Sequence, residues 1–151
     1  MDDGCADPTR RLETRFHARH RRRLDQLGKL AEMVEDLHES DEGVPAGLHQ
    51  ILGRIRGVLE AHMQTAESVV FPAIRKGATS GVGPRIDALR GEHDRLTSDC
   101  ARIREISRDF KLPDNACTSW ATLYVGLAGF IDDLAEHLRL ENDVLSQQLE
   151  P

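Results

Sequence analysis

The stretch HLRLEN at 137–142 places a histidine and a carboxylate, His137 and Glu141, four residues apart. On a helix that spacing stacks both side chains on one face. Neutral imidazole beside carboxylate is a donor pair suited to iron, zinc or manganese. The stretch HMQTAESVVFP at 62–72 repeats the histidine but not the acid, because Ala66 stands four residues after His62. A carboxylate at such a position can bridge two metals. The question is therefore whether HMQTA is a metal-binding half-motif without its carboxylate or was never one.

The elements that must position these groups are helices. ESDEGVPAG (39–47), RKGATSGVGP (75–84) and RDFKLPDNACTS (108–119) concentrate glycine, proline and capping residues, which break helices and form turns. Between them lie four segments, 9–38, 45–75, 84–108 and 118–149, with Pro45 placed to open the second. Each carries one apolar stripe at helical spacing. The second reads Leu48, Leu52, Ile55, Leu59, His62, Ala66, Val69, Ala73. The third reads Ile86, Leu89, His93, Leu96, Cys100, Ile103, and the fourth Leu123, Leu127, Phe130, Leu134, His137, Glu141, Val144. The first is less regular: Leu12, Phe16, His17, His20, Leu24, Leu27, Ala31, Val34. Short connections make neighbours antiparallel, so the fold class is all-α, an up-down antiparallel four-helix bundle.

Every stripe contains a histidine. Facing positions of antiparallel helices mirror each other about the turn between them. Reflection takes His17 to about position 65, between His62 and Ala66, and takes those two to about 96 and 92, either side of His93. Reflection of His93 falls one to two turns short of His137, a difference the longer third connection can absorb. His17, His62, His93, His137 and Glu141 can thus meet in one slab of the core. Burying them without partners costs roughly several kcal/mol per group. A metal supplies the missing partner; the alternative is a hydrogen-bonded polar layer without one. His38 lies roughly 31 Å from His17 along the helix, so it belongs to the helix end in a surface or capping role, and His49 faces the same far end. His20 partly shares the face of His17 and is an alternative ligand, a residue behind a ligand, or exposed. Glu92 either lines access to the site or is an exposed helix residue.

The ordered motifs FHARHRRRL, VPAGL, LEAHMQ, VVFPAI, EHDRL, ACTSW and FIDDLAEHLRLEN resemble the hemerythrin-like domain, and most closely the RIC (repair of iron centres) di-iron proteins. The resemblance runs from about residue 12 to 146. It implies a single hemerythrin-like domain over 1–151 with residues 1–8 disordered. It also implies a non-haem di-iron centre with His17, His62, His93, His137 and Glu141 as ligands. The function it implies is a part in nitrosative and oxidative stress and in repair of iron–sulfur clusters, with nitric oxide or oxygen interacting at the iron and damaged iron–sulfur proteins as partners. Two alternatives are an oxygen or nitric oxide binding module without turnover, and a bundle with a degenerate site. The family's second bridging carboxylate is Ala66 here, so the second iron is expected to be weakly held. Glu67 points off the stripe and could replace that bridge only if the helix bulges or rotates. The short stretch ahead of the first helix leads to the expectation that the family's N-terminal cysteine-bearing domain is absent, and the VLSQQLEP ending departs from the family's apolar one.

Composition excludes other classes. The formal charge of −6 gives the molecule no general attraction to nucleic acid, and the arginines of RRLETRFHARHRRRL read as a solvated helix face or as a docking surface for an acidic partner. No apolar run reaches the roughly 18 residues of a membrane span, and the N-terminus lacks a signal-peptide core. Cys5, Cys100 and Cys117 form no CxxC pattern, which suits a reducing cytoplasm. Cys100 reads as core packing, Trp120 and Tyr124 as packing at the end of the bundle, and Cys117 as a possible helix cap.

Overall fold

The computed structural model describes residues 7–149. Four helical rods form the chain, and no strand occurs among the described residues. The first rod comprises α1 (Pro8–Leu12), a π-helical turn at Glu13–His17 and α2 (Ala18–Leu37). The second comprises α3 (Leu48–Thr65), a π-helical turn at Ala66–Val70 and α4 (Phe71–Lys76). The third is α5 (Gly83–Ile106) and the fourth α6 (Thr118–Leu149). The first rod packs on the second and fourth, and the third on the same two, which closes the up-down ring. Residues 1–6 of the stretch expected to be disordered lie outside the described residues. Asp7 and Pro8 are structured: the Asp7 side chain accepts from the Thr9 and Arg10 amides, and Pro8 opens α1.

Two element boundaries differ from the sequence expectation. Pro45 does not open the second rod; α3 starts at Leu48 after Gly47, whose φ of 91° needs a residue without a Cβ. Its N-terminal amides are capped from the first rod. Glu35 accepts from the Gly47 amide at 2.7 Å and the His49 amide at 2.8 Å. The third rod ends at Ile106 rather than near 108, because Arg108, Asp109 and Phe110 all take positive φ. Asp109 donates its amide to the Arg104 carbonyl, and Phe110 donates its amide to Ser107 Oγ. Phe110 also packs against Tyr124.

The π-turns explain the irregular stripes. A π-turn adds a residue to one turn and shifts the helix phase. In the first rod it lets consecutive residues Phe16 and His17 both be buried. In the second it moves the buried face from the expected Val69 and Ala73, which are half-buried, to Val70 and Phe71. The apolar core is divided in two. Leu24, Leu27, Leu52, Leu59, Leu127 and Leu134 belong to the larger cluster. Leu12, Phe16, Ala66, Phe71, Leu89 and Leu145 belong to the smaller one. Along their rods, the buried polar groups His17, His20, His62, His93, His137 and Glu141 lie between residues of one cluster and residues of the other.

Candidate metal centre

Glu141 is the hub of this layer, fully buried on the fourth rod. Its Oε1 lies 2.6 Å from His62 Nε2 and 3.0 Å from His93 Nε2. Its Oε2 accepts from His137 Nε2 at 2.8 Å, across the one-turn spacing legible in HLRLE. His17 completes the second half: ligand atoms of His17, His137 and Glu141 lie within 4.8 Å of one another, as do those of His62, His93 and Glu141. The five residues singled out in the sequence are therefore brought together, in two groups that share one carboxylate.

Each imidazole turns Nε2 inward and is held by a bond on Nδ1. Glu67 accepts from His17 at 2.6 Å. Glu92 accepts from His62 at 2.7 Å, and Asn142 Oδ1 accepts from His93 at 2.9 Å. His20 Nε2 is hydrogen-bonded to His137 Nδ1 at 3.0 Å. Outer partners of this kind fix ring orientation and tautomer. Glu67 thus stands behind His17 despite the π-turn and does not reach the inner face, where Ala66 is fully buried. Glu92 is half-buried and bonded to His62 rather than a free helix residue. His20 is fully buried and backs His137. Glu67, Glu92 and Asn142 each follow an inward residue by one position or precede it; that adjacency is the only sequence signal they carry.

The electrostatics follow from these contacts. Burial opposes the charged form of Glu141, but bonds from His137, His62 and His93 outweigh it and hold the carboxyl well below its ordinary value. Burial likewise opposes charge on His62, yet Glu141 and Glu92 on its two nitrogens raise its pKa. Burial, then the neighbouring His137, push His17 down to about 4 and His20 down to about 3. A neutral His17 that donates Nδ1–H to Glu67 presents its lone pair at Nε2, and that atom is buried without a partner. An unpartnered buried nitrogen costs about 1–3 kcal/mol. Its placement beside Glu141 and His137, with an all nitrogen and oxygen donor set, fits a cation.

The basic stretch of the first rod is engaged by neighbouring rods. Arg15 pairs with Glu136 at 3.3 Å, Arg23 with Asp133 at 2.9 Å, and Arg21 with Glu60 at 2.9 Å. Arg21 also reaches Glu67, which ties the outer partner of His17 to the surface charge. Cys100 is buried, and burial pushes its thiol up to about 11. His38 is not a surface residue: its side chain is 11% exposed and bonded on both ring nitrogens. His49 is exposed at the far end. No helix among the described residues is long and apolar enough to cross a membrane.

A four-helix bundle with paired histidine groups about a shared carboxylate defines a class of cation-binding bundle. The family model described as the hemerythrin HHE cation binding domain matches residues 11–149, and the chain belongs to that family. It is 42% identical over 132 residues to the "Iron-sulfur cluster repair protein YtfE" of Dickeya chrysanthemi, covering 87% of this chain and 60% of the relative. It is 38% identical to the "Probable iron-sulfur cluster repair protein" of Haemophilus influenzae, covering 87% of this chain and 59% of the relative. The chain thus spans about three-fifths of the length of these relatives.

Proposed function

We propose that this chain is a non-haem di-iron protein of the nitrosative and oxidative stress response, acting in the cytoplasm in repair of iron–sulfur clusters. The names of its relatives support the repair role, with damaged iron–sulfur proteins as partners. The observation that carries the metal assignment is the Glu141 carboxylate, whose two oxygens are divided between His62 with His93 and His137 with its neighbour His17. Each half offers two imidazoles and one carboxylate oxygen, the donor set that leaves positions open on non-haem ferrous iron. When bound, the irons supply those open positions to nitric oxide or oxygen and can change oxidation state.

The chain's own residues do the remaining work. Glu67, Glu92, Asn142 and His20 hold the four rings with Nε2 inward. The apolar clusters on either side keep bulk water from the layer. Ala66 leaves five side-chain ligands and a single carboxylate charge for two cations, which are less well neutralised in a low-dielectric core. A second iron, held by His17 or His62 with its neighbours and Glu141, would be bound more weakly for that reason.

Metal content and the optical spectrum test this reading, after anaerobic loading with ferrous iron and oxidation. The chain and Ala66→Glu are expected to retain iron, Ala66→Glu the more tightly at the second position, and Glu141→Gln to lose it. Failure of both the chain and Ala66→Glu to bind metal would leave the layer as a hydrogen-bonded polar core.

A further inference from the structure

At the end of the bundle remote from the metal layer, three chemistry-bearing side chains are aligned. Cys117 Sγ lies 3.2 Å from His38 Nε2. His38 Nδ1 lies 2.6 Å from Asp41 Oδ2. The three come from separate places: the end of the first rod, the turn after it, and the start of the fourth rod. Local backbone builds the arrangement. The His38 amide donates to the Val34 carbonyl, and the Asp41 amide donates to the His38 carbonyl at 2.8 Å, so the turn itself brings the Asp41 carboxylate to the ring. The His38 ring packs on buried Trp120 with centroids 4.7 Å apart. Cys117 caps α6: its carbonyl accepts from the Ala121 amide, and the amides of Trp120 and Ser119 face its sulfur.

Two uses of such a cluster can be separated by geometry. A metal site requires donors that converge. Here Cys117 and Asp41 sit on opposite nitrogens of one imidazole, so they cannot close on one ion. Sulfur, imidazole and carboxylate in line are instead the arrangement of an activated nucleophile, its base and the group that orients the base. Acyl transfer would need free amides to receive an oxyanion, but the nearby amides already face the sulfur. Attack on a sulfur electrophile needs no such hole.

We propose that Cys117 is a reactive thiol that exchanges with low-molecular-weight disulfides, with His38 as its base and Asp41 as the positioning residue. Sγ gives its proton to His38 Nε2 and attacks one sulfur of the disulfide. The new Sγ–S bond forms as the S–S bond breaks, and the departing thiolate takes the proton back from His38. One disulfide and one protein thiol become one mixed disulfide and one free thiol. Direction of charge agrees with the geometry: the bond to His38, then the Trp120 amide, lowers the Cys117 thiol, and the bonds to Cys117 and Asp41 raise His38. Half-buried Cys117 contrasts with buried Cys100, whose thiol burial makes inert.

The test uses glutathione disulfide on the full-length chain carrying Cys5→Ser, with peptide mass spectrometry locating the adduct and thiolate ultraviolet absorbance read at pH 7. The adduct is expected at Cys117 and not at Cys100, formed faster than on a small free thiol at the same pH. His38→Gln is expected to slow it about threefold or more, since a larger thiolate fraction is partly offset by lower intrinsic nucleophilicity. The thiolate absorbance falls with it, and Asp41→Asn lies between. His38→Asn serves as the second variant if His38→Gln loses its helical circular dichroism. An adduct at Cys117 no faster than on the free thiol, or equal rates and absorbance with and without His38, would overturn the proposal.

Discussion

At the residue scale, burial keeps the imidazoles of His17 and His20 neutral in this layer. His20 shows the consequence for pH. Its pKa falls from 6.5 to about 3 in the fold, whereas the unfolded chain takes up its proton near the ordinary value. Between those limits the unfolded state binds more protons, so stability is complete above pH 6.5 and is lost as pH falls toward 3. The slope for one such group is about 1.4 kcal/mol per pH unit. His17, lowered to about 4, adds in the same direction, while His62, raised in the fold, opposes it. Urea titrations of metal-free protein from pH 7 to 4 are expected to give a flatter stability curve for His20→Gln than for the parent. Parallel curves would show that His20 is protonated equally in both states.

At the element scale, the rods are held in register by contacts that also frame the two sites. The cap on α3 comes from Glu35 of α2, bonded to two amides of the following rod. Glu35→Ala leaves those donors to water and removes the tie across the turn. The expected cost is about 1 kcal/mol, read as a lower urea midpoint with an unchanged slope; an unchanged midpoint would mean that the turn holds the rods without the cap. The π-turns at Glu13–His17 and Ala66–Val70 act at the same scale. They sit at the level of the polar layer on adjacent rods and shift which residues face inward. Ala66 keeps the inner position and Glu67 takes the outer one beside His17.

At the scale of the whole molecule, two apolar clusters flank one polar layer, so the bundle does not depend on metal for its topology. Removing metal with a chelator is expected to leave helical circular dichroism unchanged and to lower the thermal midpoint, because a cation that binds only the folded chain stabilises it by mass action. Loss of helix on chelation would instead make metal binding and folding one event. The paired arginines of the first rod, joined to acids of the second and fourth rods, belong to this scale too. They read as cross-links between rods rather than as a polyanion-binding face.

The sequence by itself determined the helical class, the up-down order, and the inward set His17, His62, His93, His137 and Glu141. Helical periodicity is local, and a histidine on an apolar stripe is visible one rod at a time. Ala66 as an inward non-ligand was legible for the same reason. What backs each imidazole was decided only by tertiary structure, because His20 meets His137 and Glu92 meets His62 across rods. Such meetings depend on how far each rod is rotated, and the π-turns change that rotation by an amount that an irregular stripe alone does not specify. The alignment of Asp41, His38 and Cys117 was likewise beyond the sequence. Residues 79 positions apart become neighbours only when the bundle closes and brings the end of the first rod against the start of the fourth.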